Sequence, residues 1–88
     1  MNIIQEGRVL YKFGAAWCGP CRQISPILDS LRAEGLNIID VDIDEEQDLA
    51  QEYLIRSVPT LIMFENGKEV GRVIGSQSKE QIKDLYNK

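Results

Sequence analysis

The sequence predicts an α/β fold: a four-stranded mixed sheet in βαβαββα order, with helices on both faces. Three observations carry this. Two short alternating segments, Arg8–Gly14 and Asn37–Asp44, flank a stretch with helical apolar spacing, which makes a parallel, right-handed βαβ unit. The apolar run Leu61-Ile62-Met63-Phe64 and the segment Lys68–Ile74 are joined through Asn66-Gly67, the strongest short hairpin signal in the chain. Capping signals open one helix after the second strand and another after the fourth. The chain has 88 residues, 43% apolar and 27% charged, which suits a single domain over 1–88 with no repeat, low-complexity tract or internal linker.

Residues 1–7 form a lead-in segment. Ile3 and Ile4 are too few for an element, Gly7 ends the segment, and its expected place is along the sheet edge. In the first strand Val9, Tyr11 and Phe13 share one face, while Leu10, Lys12 and Gly14 share the other. Lys12 is the oddity of this strand. From Cys18 to about Glu34, Cys21, Ile24, Ile27, Leu28 and Leu31 recur at helical spacing, and Arg22, Gln23, Asp29, Ser30 and Arg32 fall mostly opposite. Pro26 deletes one backbone hydrogen bond and predicts a kink, and Gly35 supplies the stop.

The second strand turns Ile39, Val41 and Ile43 to one face and Ile38, Asp40, Asp42 and Asp44 to the other. Asp44 and Gln47 read as N-cap and capping-box partner of a short helix that carries Leu49, Ala50 and Tyr53 inward. The third strand, apolar at every position, is expected to be covered on both faces. Gly71 predicts a bulge or a close approach in the returning strand, which Gly75 ends. Ser78 and Gln81 form a second capping box, for a final helix burying Ile82, Leu85 and Tyr86.

Both cysteines lie in Trp17-Cys18-Gly19-Pro20-Cys21, after the first strand and at the start of the first helix. A sulfur at position 18 would sit among unpaired N–H groups at the positive end of the helix dipole, which favours thiolate over thiol. Cys21 would lie on the same face one turn deeper, close enough to bond Cys18 or to attack whatever Cys18 holds. Gly19 allows another backbone to approach, and Pro20 stiffens the turn between the sulfurs. A structural disulfide across so short a loop removes little chain entropy. Half a zinc site would need further ligands, yet the chain has no histidine and no third cysteine, so no metal is expected. Dithiol redox chemistry is the remaining reading besides two inert thiols, and a C-x-x-C beside a βαβ pattern marks it.

Composition bounds the setting. The net charge of −4 argues against an electrostatic grip on nucleic acid. No apolar run approaches a membrane span, and the start MNIIQEG lacks the basic and apolar regions of a secretory signal. A reducing, cytoplasmic setting is the expectation, and there an adjacent cysteine pair is catalytic more often than structural.

Together Trp17-Cys18-Gly19-Pro20-Cys21, Pro26, Val58-Pro59-Thr60, Asn66-Gly67 and Gly75 resemble the thioredoxin family over roughly residues 8–88. The family usually begins with an additional strand and helix, where this chain has only its lead-in. A second departure is one of charge. Six residues before the first cysteine the family usually carries a buried aspartate, paired with a lysine on the next strand. Here those positions hold Lys12 and Asp40, so the charges have traded places. An ion pair between them beneath the redox site is expected, since a buried ammonium is costly unpaired. Lys12 would favour the Cys21 thiolate, and Asp40 would accept its proton through water.

The resemblance further implies a cis Val58–Pro59 bond facing the cysteines, with the Val58 backbone pairing an extended substrate segment. Trp17, Pro20, Val58, Pro59, Ile74 and Gly75 would surround Cys18 as an apolar apron. The implied activity is a monomeric protein-disulfide reductase without a bound cofactor. Its redox-active disulfide, Cys18–Cys21, would be restored by a flavoprotein thioredoxin reductase drawing on NADPH. Length alone suggests a glutaredoxin-like enzyme using glutathione, but only scattered basic residues (Lys12, Arg22, Arg56) could receive the tripeptide carboxylates. A third reading is an accessory binding subunit whose redox activity is incidental.

Overall fold

Seven elements form in the expected order: β1 (Arg8–Gly14), α1 (Gly19–Ala33), β2 (Ile38–Asp42), α2 (Gln47–Glu52), β3 (Thr60–Glu65), β4 (Lys68–Ile74) and α3 (Lys79–Tyr86). The computed structural model describes every residue from Met1 to Lys88. Strand order is β2-β1-β3-β4, with β1 parallel to β2 and the other two pairings antiparallel. The β1–β2 register sets Leu10 beside Ile38 and Lys12 beside Asp40.

Strand alternation then divides the core into two. On one face Leu10, Ile38, Leu61 and Met63 pack under Ile24, Leu28 and Leu31 of α1 and under Ile82 and Leu85 of α3. On the other face Val9, Tyr11, Phe13, Val41, Ile62 and Phe64 pack with Leu49 of α2. β3 faces both clusters, which is why its apolar run does not alternate.

The lead-in does not follow the sheet edge. Ile3 is buried in the α2-side cluster, Ile4 donates its N–H to the Tyr11 hydroxyl (3.0 Å), and the N-terminal ammonium meets Glu46 (2.7 Å). Burial of Ile3 outweighs strand pairing for so short a segment. α1 runs continuously through Pro26. Asn66 and Gly67 adopt φ of +52° and +82°, the mirror-image turn that suits a two-residue hairpin. The β3–β4 register shifts between Met63 and Phe64, and Leu85 and Lys88 come so close over Gly71 that a Cβ there would crowd them. The bulge and the close approach therefore occur together.

β2 stops at Asp42, short of the predicted Asp44, because the Asp42 carboxylate takes the Asp44 N–H (2.8 Å) and turns the chain. Asp44 is thus not the cap of α2. That place belongs to Glu46, whose side chain makes no capping bond. The capping box of α3 forms as read, Ser78 Oγ accepting from Gln81 N–H and Gln81 Oε1 from Ser78 N–H.

α1 and α2 end in the same way but with different residues. After α1, Gly35 (φ +100°) donates to Arg32 O and Leu36 to Leu31 O. After α2, Leu54 (φ +55°) donates to Gln51 O and Ile55 to Ala50 O. The left-handed position suits glycine, and a side chain there costs about 1 kcal/mol. Leu54 recovers little by burial, being 68% exposed. Leu54→Gly is expected to stabilise the fold by about 1 kcal/mol, raising Tm by about 4–8 °C. A melting scan with an unchanged or lower Tm contradicts this.

Candidate active site

β1 lies inside the sheet, so its C-terminal end opens at the middle of one sheet edge, where α/β sheets hold their sites. The chain leaves Gly14, closes a turn with Cys18 N–H on Ala15 O (3.1 Å), and enters α1. Cys18 is the N-cap of that helix, with extended backbone (φ −89°, ψ 110°) and Sγ accepting the Cys21 N–H at 3.1 Å. Its sulfur thus fills the place usually held by a serine or aspartate oxygen. Pro20 falls in the first turn, where a missing N–H costs nothing, and no acidic residue there opposes the dipole.

The two cysteines form a disulfide with Cα atoms 5.3 Å apart. Cys18 is 4% exposed and Cys21 is 2% exposed, so both ends of the bridge are buried. Cys21 Sγ lies against Gly14, 3.2 Å from where a Cβ on that residue would stand.

The expected Lys12–Asp40 pair forms, with Nζ 3.5 Å from Oδ1. Its two ends differ sharply: the Lys12 side chain is 13% exposed and that of Asp40 is 57% exposed. The ammonium is the sheltered end of the pair. The carboxylate stands at the mouth and is shared, its Oδ2 accepting from Arg32 Nη2 at 3.0 Å, while Arg32 Nη1 reaches Asp29 at 2.8 Å. Water screens the outer charges, while the Lys12 ammonium is sheltered on the cleft that Cys21 borders. Lys12, Gly14, Cys21, Arg22, Asp40 and Asp42 all border one cleft of about 350 Å³.

The remaining expected site residues divide into two groups. β3 pairs with β1 so that Thr60 stands beside Phe13, which puts the cis Val58–Pro59 bond at the same sheet end as Gly14. Thr60 pairs with Ile74, and Gly75 N–H donates to Pro59 O (2.8 Å), so Pro59, Ile74 and Gly75 form one unit. Thr60 Oγ1 ties the preceding turn through Ser57 O (2.7 Å). Pro59 is buried and Val58 is half-buried, whereas Ile74 is exposed. Trp17 is 66% exposed and is held by its indole N–H on Asp44 Oδ2 at 2.9 Å. Sequence reasoning missed this partner because it had given Asp44 to the α2 cap. It also missed Arg32, which pairs with Asp29 three residues back on α1 and gave no signal of its reach across to Asp40 of β2.

A cysteine pair two residues apart, capping a helix at the end of an interior parallel strand, defines a thiol–disulfide oxidoreductase. Comparison with known proteins agrees. The family model described as Thioredoxin matches residues 1–88, and the chain belongs to the thioredoxin family. It is 46% identical to a thioredoxin of Chlamydia pneumoniae over 89 residues, covering 99% of this chain and 87% of that protein. With a thioredoxin of Staphylococcus aureus it shares 41% identity over 88 residues, covering 97% and 85%. Among solved structures, a mutant thioredoxin from Halobacterium salinarum NRC-1 superimposes with a TM-score of 0.87 at 38% identity, covering 93% of this chain and 74% of that one. A thioredoxin of Nicotiana alata gives 0.83 at 32% identity, covering 90% and 70%. The likeness thus extends from sequence to fold, and it favours thioredoxin chemistry over a glutathione-dependent enzyme. No helix is long and apolar enough to cross a membrane.

Proposed function

We propose that this protein reduces disulfides of other proteins in the cytoplasm and is itself re-reduced by a flavoprotein reductase drawing on NADPH. The observation that carries this reading is the placement of Cys18 Sγ as the cap of α1, already accepting a backbone N–H at 3.1 Å. Such a position lowers the pKa of a thiol, because the dipole and the N–H both favour the anion.

In the reduced protein the Cys18 thiolate attacks one sulfur of a substrate disulfide, forming a mixed disulfide and expelling the other substrate sulfur as a thiolate. Cys21, as thiolate, then attacks Cys18 Sγ. The second substrate sulfur leaves, and the Cys18–Cys21 disulfide closes. Two electrons have passed to the substrate, and the reductase returns two. Lys12 favours the anionic form of Cys21, and Asp40 at the cleft mouth passes its proton to solvent through water. Gly19 and Pro20 keep the turn between the sulfurs short and stiff. Trp17, Val58, Pro59, Ile74 and Gly75 receive the substrate backbone and its apolar side chains.

An insulin-reduction assay with each electron donor tests the reading. The expected result is turnover with NADPH and thioredoxin reductase and little with glutathione alone. Turnover only with glutathione would replace the reductase by the tripeptide as donor. Loss of both, with the cellular task still performed by a Cys18→Ser, Cys21→Ser variant, would establish an accessory binding role.

A further inference from the structure

A glycine ends β1 where the side chains of two other residues converge. A Cβ built on Gly14 would lie 2.9 Å from Lys12 Cε, 3.5 Å from Lys12 Nζ and 3.2 Å from Cys21 Sγ. The backbone at Gly14 does not require glycine, since its φ is outside the left-handed region that side chains avoid. What the position requires is empty space, and the tip of the lysine side chain fills it. We infer that Gly14 is a positioning residue for Lys12: by having no side chain it lets the end of the lysine share the space beside Cys21 Sγ and so sets the charge that this thiol feels.

The surroundings leave few rivals to that charge. Lys12 comes from β1, Asp40 and Asp42 from β2, and Arg22 from α1, all on the same cleft, with Arg32 of α1 behind Asp40. Asp40 is held outward by Arg32 and is mostly exposed, so its field at Cys21 is screened. Arg22 is exposed and directs its guanidinium to Ala16 O (3.3 Å). Asp42 is half-buried like Lys12, but its carboxylate is engaged by the Asp44 N–H (2.8 Å). It does not reach the space above Gly14, where Lys12 is the only charged group. An opposite charge within a few ångströms lowers a thiol pKa by one to three units.

An added methyl group at position 14 tests this: the Lys12 Cε it meets first belongs to the far end of a flexible side chain, and Cys21 Sγ, at 3.2 Å, need give only a few tenths of an ångström. The lysine swings outward toward Asp40 and the cleft mouth. The proposal rests on Cys21 being the thiol that resolves the mixed disulfide, and the test keeps the two apart. Cys21 is titrated by ultraviolet thiolate absorbance in a Cys18→Ser background, so that a single thiol reports. Gly14→Ala is expected to raise the Cys21 pKa by about one unit, Lys12→Met to raise it at least as far, and the double variant to match Lys12→Met alone.

A Gly14→Ala shift that persists undiminished beside Lys12→Met would mean that the methyl group acts on the sulfur directly, and would overturn the inference. So would a Cys21 pKa unmoved by Gly14→Ala. In the wild-type Cys18 background, the pH at which insulin reduction reaches half its plateau should rise with the same pattern. Failure of the underlying reading shows elsewhere, as a Cys21→Ser protein that forms no adducts while the titration shifts still appear.

Discussion

Cys21→Ser is expected to abolish turnover and leave the protein covalently attached to its substrates. The geometry explains both effects. Cys18 keeps its place as the cap of α1, and a serine at position 21 still supplies the N–H that Cys18 accepts (3.1 Å in the wild type). The first attack therefore proceeds. The second does not, because a serine hydroxyl is scarcely ionised and cannot displace the substrate sulfur. In the wild type the two cysteines have Cα atoms 5.3 Å apart and already bond each other. An attacking group held at that range has an effective concentration far above any free thiol in solution, so turnover should fall by about 10³-fold or more.

Non-reducing gels should show adducts in place of free protein, and added dithiothreitol should release them. Cys18→Ser serves as the contrast: it should be equally inactive and form none. Adducts from Cys18→Ser instead would reverse the roles of the two sulfurs. If neither variant forms adducts, the exchange mechanism fails.

How far these residues could be read from sequence follows from the range of the forces involved. The cysteine turn, the hairpin at Asn66-Gly67 and the cap at Ser78 are local: each is decided within four residues by backbone chemistry, and each forms as read. The division of the core was legible for the same reason, since strand alternation in β1 already separates Tyr11 from Lys12. Lys12 and Asp40 could be matched through the family's paired positions on these two strands, and the β1–β2 register then sets them side by side. Arg32 could not be foreseen at Asp40, because a long side chain reaching from helix to strand leaves no periodic trace. Asp44 was misassigned for a related reason. Its carboxylate had two possible partners, an N–H of α2 and the indole of Trp17, and only the turn made by Asp42 decides between them. The role of Gly14 was equally hidden, since a glycine that must be small looks the same in sequence as one that must bend.

Phe64→Ala should bring the fold close to its limit while leaving the chemistry of the surviving molecules intact. Phe64 is 0% exposed and meets Tyr11 and Tyr53 edge-on, with ring centroids 5.4 Å and 5.2 Å away. Truncating such a ring removes its burial, leaves a cavity and ends both aromatic contacts, which together cost about 3–5 kcal/mol. A domain of this size has only about 4–13 kcal/mol in all. The urea midpoint should therefore drop steeply with the m-value unchanged, and Phe64→Leu should recover most of the loss.

Turnover per folded molecule should hold, because Phe64 belongs to the α2-side cluster while the cysteines start α1 on the opposite face. It also lies toward the far end of β3 from Thr60, where the site is built. A loss below about 1 kcal/mol would mean that the cluster closes over the gap. Activity falling while the protein stays folded would show instead that the two faces of the sheet do not act independently.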